Sequence, residues 1–141
     1  MNFVLDASVA LLWLLPETNP SGVDYAATVL KALREAQALV PSLFALETAN
    51  VVAKVESRGV VTEADAQRFI TLLGQLNIET DPETATNALG DTLNLARRYK
   101  LSAYDAAYLE LALRTGRPLA TLDADLAQAA TTAGVSIFAT H

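Results

Sequence analysis

Cysteine is absent from the chain, which excludes disulfides, thiolate-held zinc and iron–sulfur clusters and accords with a reducing compartment. Histidine occurs once, as the last residue, His141. No internal imidazole is therefore available as a general base or metal ligand, and any acid–base or metal chemistry must rest on carboxylates. Basic residues are scarce. Ten Lys and Arg stand against sixteen Asp and Glu, for a net charge of −6 and a pI near 4.6. A field of that sign repels a polyanion, so a nucleic-acid substrate would need bound cations or local basic patches. Long hydrophobic runs are missing too: the longest, Val9 to Leu15, falls far short of the ~20 residues of a membrane span. The start has no basic segment of the kind that opens an export signal. These absences predict a cytoplasmic protein with no membrane partner.

What the chain does have is apolar surface. At 52% hydrophobic and 18% charged over 141 residues, it can close one core without staples, and residues 1–141 are expected to form a single domain. Short apolar runs predict strands at Phe3–Leu5, Ile78–Thr80, Leu119–Thr121 and Val135–Phe138, with a weaker fifth at Ala38–Val40 before Pro41. Between them, apolar residues recur at helical spacing: around Tyr25 to Leu33, then over Leu43–Glu56, Ala64–Leu76 and Thr84–Tyr99. Thr62 before Asp65 and Ser102 before Asp105 stand in capping-box positions, and Gly59, Gly116 and Gly134 stand where helices end. Strands alternating with helices predict an α/β fold, a three-layer α/β/α arrangement with a central parallel sheet of about five strands.

The acidic residues fall in a pattern on this scheme. Asp6 ends the first strand, and Asp123 follows the strand at Leu119–Thr121 by the same logic. Ligands of open parallel sheets bind beyond the carboxyl ends of the strands, so both carboxylates would project from the edge where chemistry is done. Asp105 opens a helix in SAYDAAYLELA, and Glu47 lies in PSLFALETANVV, one turn from Asn50 and on a face shared with Lys54. Each also has a plain structural reading: Asp6 as an N-cap, Asp105 as half of a capping box with Ser102, Glu47 on a solvated helix face, and Asp125 as a first-turn residue favoured by the helix dipole. Taken together, the carboxylates on one sheet edge would repel one another unless a divalent cation neutralised them, which points to Mg²⁺ or Mn²⁺ held by oxygen ligands. Such an ion orients a scissile phosphate, offsets its charge and supplies a water-derived nucleophile.

At these residues the chain resembles the PIN-domain ribonucleases, in particular the VapC-type toxins of toxin–antitoxin pairs. The resemblance is carried nearly end to end by VLDASV with Asp6, PSLFALETANVV with Glu47 and Asn50, SAYDAAYLELA with Asp105, and LATLDADLAQAA with Thr121 and Asp123. It implies Asp6, Glu47, Asp105 and Asp123 as the catalytic carboxylates, with Asp6, Asp105 and Asp123 holding the metal and Ser8, Asn50, Thr121 and Asp125 in support. It further implies an endoribonuclease that leaves 5′-phosphate and 3′-hydroxyl ends, a homodimer, and a cognate antitoxin lying along the active-site groove. Leu12 and Trp13 are the expected apolar contacts for that antitoxin. Basic residues are sparse, and Lys54 and Arg58, Arg97 to Lys100, and Arg114 with Arg117 are the groups along which RNA would run. Rival α/β readings lack their residues. A receiver domain wants an acidic pair at the first strand and a late lysine, and no lysine follows Lys100. A dehalogenase-type phosphatase wants D-x-D where this chain has Asp6-Ala7-Ser8, and neither a P-loop nor G-x-G-x-x-G is present. A housekeeping PIN nuclease of RNA processing and a catalytically silent PIN binding module are the alternatives within the fold.

Overall fold

A computed structural model describes residues 1–139, so His141 lies outside the described residues. Four short strands, β1 (Phe3–Leu5), β2 (Ala38–Val40), β3 (Ile78–Thr80) and β4 (Leu119–Ala120), form one sheet in the order β3-β2-β1-β4, every pair parallel. All three residues of β1 are fully buried, as befits a central strand covered on both faces. The edge strand β3 is largely exposed. Among the described residues the α-helical segments are α1 (Ala7–Ala10), α2 (Val23–Ala32), α3 (Leu43–Ser57), α4 (Glu63–Gln75), α5 (Thr84–Asn87), α6 (Leu93–Tyr99), α7 (Ala103–Thr115) and α8 (Ala124–Thr132).

The predicted strand at Val135–Phe138 contributes a single parallel bridge, Leu119 to Ile137, beside β4. The ladder is short because β4 itself has only two residues. Thr121 has already left the sheet, and its side chain is engaged at the site described below. Phe138 is nevertheless tied down: its ring stacks on Phe3 at 4.1 Å, and its carbonyl accepts the Tyr25 hydroxyl at 2.7 Å. The predicted helix Thr84–Tyr99 is interrupted by a π-helical turn at Ala88–Thr92. Gly90, the weakest helix former in that stretch, lies at its centre. Thr62 and Asp65 form the full capping box of α4, and Gly116 and Gly134 end α7 and α8 with φ of +68° and +88°, a backbone region glycine enters without steric cost.

The core joins β1, β4 and α7. Phe3, Val4, Leu5, Leu109, Leu119 and Leu126 are all wholly buried in it. A smaller cluster of Val52, Ala66 and Phe69 packs α3 on α4, bridged to the main core by Leu11 and Trp13.

Candidate active site

The strand order places β1 between β2 on one side and β4 on the other, with β2 following it early in the chain and β4 late. That makes the gap between β1 and β4 the point where the chain's winding reverses, the usual site of a ligand crevice in such sheets. Asp6 follows β1 and Thr121 to Asp123 follow β4, so both turns open onto this gap.

Asp6 is 5% exposed. Its backbone has the extended conformation of an N-cap residue, but its carboxylate caps no helix. Instead Oδ2 accepts the Ser8 hydroxyl at 2.6 Å and the Thr121 hydroxyl at 2.8 Å. Each hydroxyl is oriented by a backbone donor from the turn after β4: Leu122 N–H reaches across to Ser8 Oγ at 3.0 Å, and Asp123 N–H bonds Thr121 Oγ1 within its own turn at 3.0 Å. A hydroxyl that accepts from an amide has its proton free for a second partner. The two turns are thus stitched together through one oxygen of Asp6. Among the described residues Oδ1 accepts no hydrogen bond.

Asp105 is released from capping by Ser102. The Ser102 side chain accepts the Asp105 N–H at 3.1 Å, while the Asp105 carboxylate makes no return bond, in contrast to the Thr62–Asp65 box. Asp123 N-caps α8 through Oδ1, which accepts the Leu126 N–H at 2.9 Å. Glu47 projects half-buried from α3 and accepts the hydroxyl of Tyr108 at 2.6 Å. The sequence motifs do not mark Tyr108, although it stands three residues beyond Asp105, about one helical turn along α7, and carries the one hydroxyl between Ala106 and Arg114.

These carboxylates act on one another. Burial raises Asp6 above the usual carboxylate range, the Ser8 and Thr121 hydroxyls draw it back, and the charges of Glu47 and Asp123 push it up further. Burial also raises Glu47, opposed by the Tyr108 hydrogen bond and assisted by Asp105. Asp105 is pushed up to about 6 by burial and then by Asp123, Asp6 and Asp125. No Lys or Arg contributes to any of these shifts.

The structure therefore brings together Asp6, Ser8, Glu47, Asp105, Thr121 and Asp123, with Asp125 exposed at the margin. Asn50 is exposed and makes no hydrogen bond to the carboxylates. Leu12 is a core residue at 6% exposure, so of the two apolar residues expected to face a partner only Trp13 offers surface. Trp13 donates its Nε1 proton to Ala26 O at 2.9 Å and, with Leu14, Val61, Phe69 and Leu72 and the charged Asp65 and Arg68, lines a cavity of about 310 Å³.

Among the described residues no three acidic or histidine side chains stand close enough to hold an ion by themselves. The donor chemistry nonetheless fits a hard divalent cation: every donor is oxygen, the charges are mutually repelling and uncompensated, and Mg²⁺ keeps much of its water shell and needs only one or two direct carboxylates.

The PIN domain profile matches residues 3–131. The chain belongs to the PIN domain family. Its similarity extends to the ribonuclease VapC3 of Pyrobaculum aerophilum, 31% identical over 129 residues that span 91% of this chain and 94% of that one. Among solved structures, this PIN domain is similar to PAE2754 of Pyrobaculum aerophilum, with a TM-score of 0.63 and 22% identity over 92% of this chain and 87% of that chain. It is also similar to VapBC2 of Rickettsia felis, solved bound to a DNA fragment from their promoter, with a TM-score of 0.66 and 12% identity over 97% of both chains. At those identities the structural matches establish the PIN fold, which is the fold the sequence motifs imply.

Proposed function

We propose that the protein is a metal-dependent endoribonuclease and the toxin of a toxin–antitoxin pair. The observation that carries this reading is the set of Asp6, Asp105 and Asp123 around the β1–β4 switch point with Glu47 from α3, each electrostatically coupled to others and none paired with a cation among the described residues. Similarity to a VapC ribonuclease over nearly the whole chain supports RNA as the substrate. Asp6, Asp105 and Asp123 would hold Mg²⁺ or Mn²⁺, which supplies an activated water and offsets phosphate charge. The chain's own residues do the rest. Ser8 and Thr121 fix Asp6 by one oxygen and leave the other for the site. Glu47, with a raised proton affinity, is suited to accept the proton of the attacking water. Tyr104, 65% exposed beside Asp105, is available as a stacking face for an RNA base.

The VapC resemblance supports a homodimer and an antitoxin, whose apolar side chains would seat in the cavity at Trp13. The test is to incubate antitoxin-free protein with total cellular RNA, with Mn²⁺ or EDTA, and to map the new ends. Discrete cleavage with 5′-phosphate ends that stops in EDTA is expected. Tight RNA binding without cleavage would favour a silent binding module, and the absence of an adjacent antitoxin reading frame would favour an RNA-processing nuclease.

A further inference from the structure

We infer that Tyr108 is a positioning residue that sets Glu47 against the rest of the acidic edge, an inference that rests on the proposed reading of that edge as the catalytic centre. Tyr108 is the largest fully buried side chain of the protein. A buried phenol must find a hydrogen-bond partner, and many would satisfy it. Here the hydroxyl donates to Glu47 Oε1 at 2.6 Å, and the backbone of Ala7 adds a hydrogen bond to the phenol oxygen. One oxygen thereby joins three elements: α7, which carries Asp105; the β1–α1 turn, which carries Asp6; and α3, which carries Glu47. Among the described residues no other side-chain bond ties Glu47 to the site, although it and Asp105 stand 58 positions apart in the chain and act on each other electrostatically.

The chemical type of the donor matters. An Arg or Lys at this position would hold Glu47 equally well but would cancel the charge that the site uses. A phenol whose own ionisation is strongly disfavoured by burial fixes the carboxylate and leaves it anionic. Only Oε1 is occupied, and Oε2 accepts no bond among the described residues. Replacing Tyr108 by Phe preserves the buried ring and removes the donor alone, so Glu47 loses its fixed position without loss of the core.

The experiment compares wild type, Tyr108→Phe, Glu47→Gln and the double variant of the full chain. It measures cleavage of a labelled RNA at saturating Mn²⁺ and, separately, Mn²⁺ binding by the loss of the free-ion EPR signal. Tyr108→Phe is expected to lower kcat by about tenfold or more with KM changed less than about threefold. It should also weaken Mn²⁺ binding about three- to tenfold, and in the Glu47→Gln background it should add less than about twofold to either loss. Equal losses in both backgrounds, or wild-type behaviour of Tyr108→Phe, would overturn the assignment. Should the Phe variant melt well below wild type, Glu47→Asp, which keeps the phenol but shortens the carboxylate by one methylene, is expected to reproduce the kcat loss at a wild-type melting temperature. A wild-type melting temperature with undiminished kcat in that variant would equally count against it. A Mn²⁺-binding protein that shows the coupling but cleaves no RNA would sustain the positioning role and refute the proposed activity.

Discussion

Asp105 is half-buried at the start of α7, with its backbone N–H already satisfied by Ser102 and its carboxylate facing the charges of Asp123, Asp6 and Asp125. Its folded-state pKa of about 6 lies above the ordinary 3.8, so its contribution to stability is fully present below about pH 3.8 and is lost as the pH rises through 6. At neutral pH without metal, the ionised group destabilises the fold. Asp105→Asn should therefore melt above wild type at pH 7.5 in EDTA, and the difference should shrink toward zero near pH 4, as calorimetry across that range would show. An Asn variant that melted lower at pH 7.5 would mean that Asp105 is held by a favourable contact and not strained by its neighbours. The pattern is the usual one at functional sites, where like charges are kept together at a cost to the empty protein.

At the scale of elements, the connection that follows β3 is fastened to α7 by Arg114. Its guanidinium donates to Asp81 at 2.6 and 3.2 Å and to Glu110 at 2.8 and 3.0 Å, and both carboxylates are about 5% exposed. Burial alone would raise Asp81, but the hydrogen bonds and charge of Arg114, with the Glu83 N–H and the Thr84 hydroxyl, together hold the carboxyl below its usual range. Removing the cation leaves two buried charges unpaired. Arg114→Met should cost about 3–5 kcal/mol in denaturant unfolding, and adding Asp81→Asn and Glu110→Gln should recover much of that loss. A loss below about 1 kcal/mol would show that water replaces the guanidinium. This network was not visible in the sequence, because Asp81 and Arg114 lie 33 positions apart and neither stands in a motif. The same holds for Tyr108 and Glu47, separated by 61 positions. Strands β1, β2 and β3 were readable to the residue from their apolar runs. The sheet's other margin was not: Thr121 turns its hydroxyl to Asp6, and residues 135–138 pair through a single bridge. The long helix after β3 fails at Gly90, where a π turn lets the chain depart from the periodicity that suggested continuity.

For the molecule as a whole, the strand-end carboxylates were legible because parallel topology dictates which end of a strand faces the ligand. Their hydroxyl supports, their coupling and their partner tyrosine depend on tertiary contacts. Under the proposed function, a net charge of −6 and a site without a compensating cation would leave a divalent ion to supply both the attraction for a polyanion and the chemistry. The proposed function requires these carboxylates to serve a hydrolytic cation. The most direct measurement is the rate of cleavage of a labelled RNA against Mn²⁺ concentration, for wild type beside Asp6→Asn. The expected wild-type rate rises with Mn²⁺ to saturation and is abolished by EDTA, with a loss of about a hundredfold or more in the variant at every Mn²⁺ concentration. Cleavage that persisted in EDTA, or an Asp6→Asn rate equal to wild type, would contradict the proposed function.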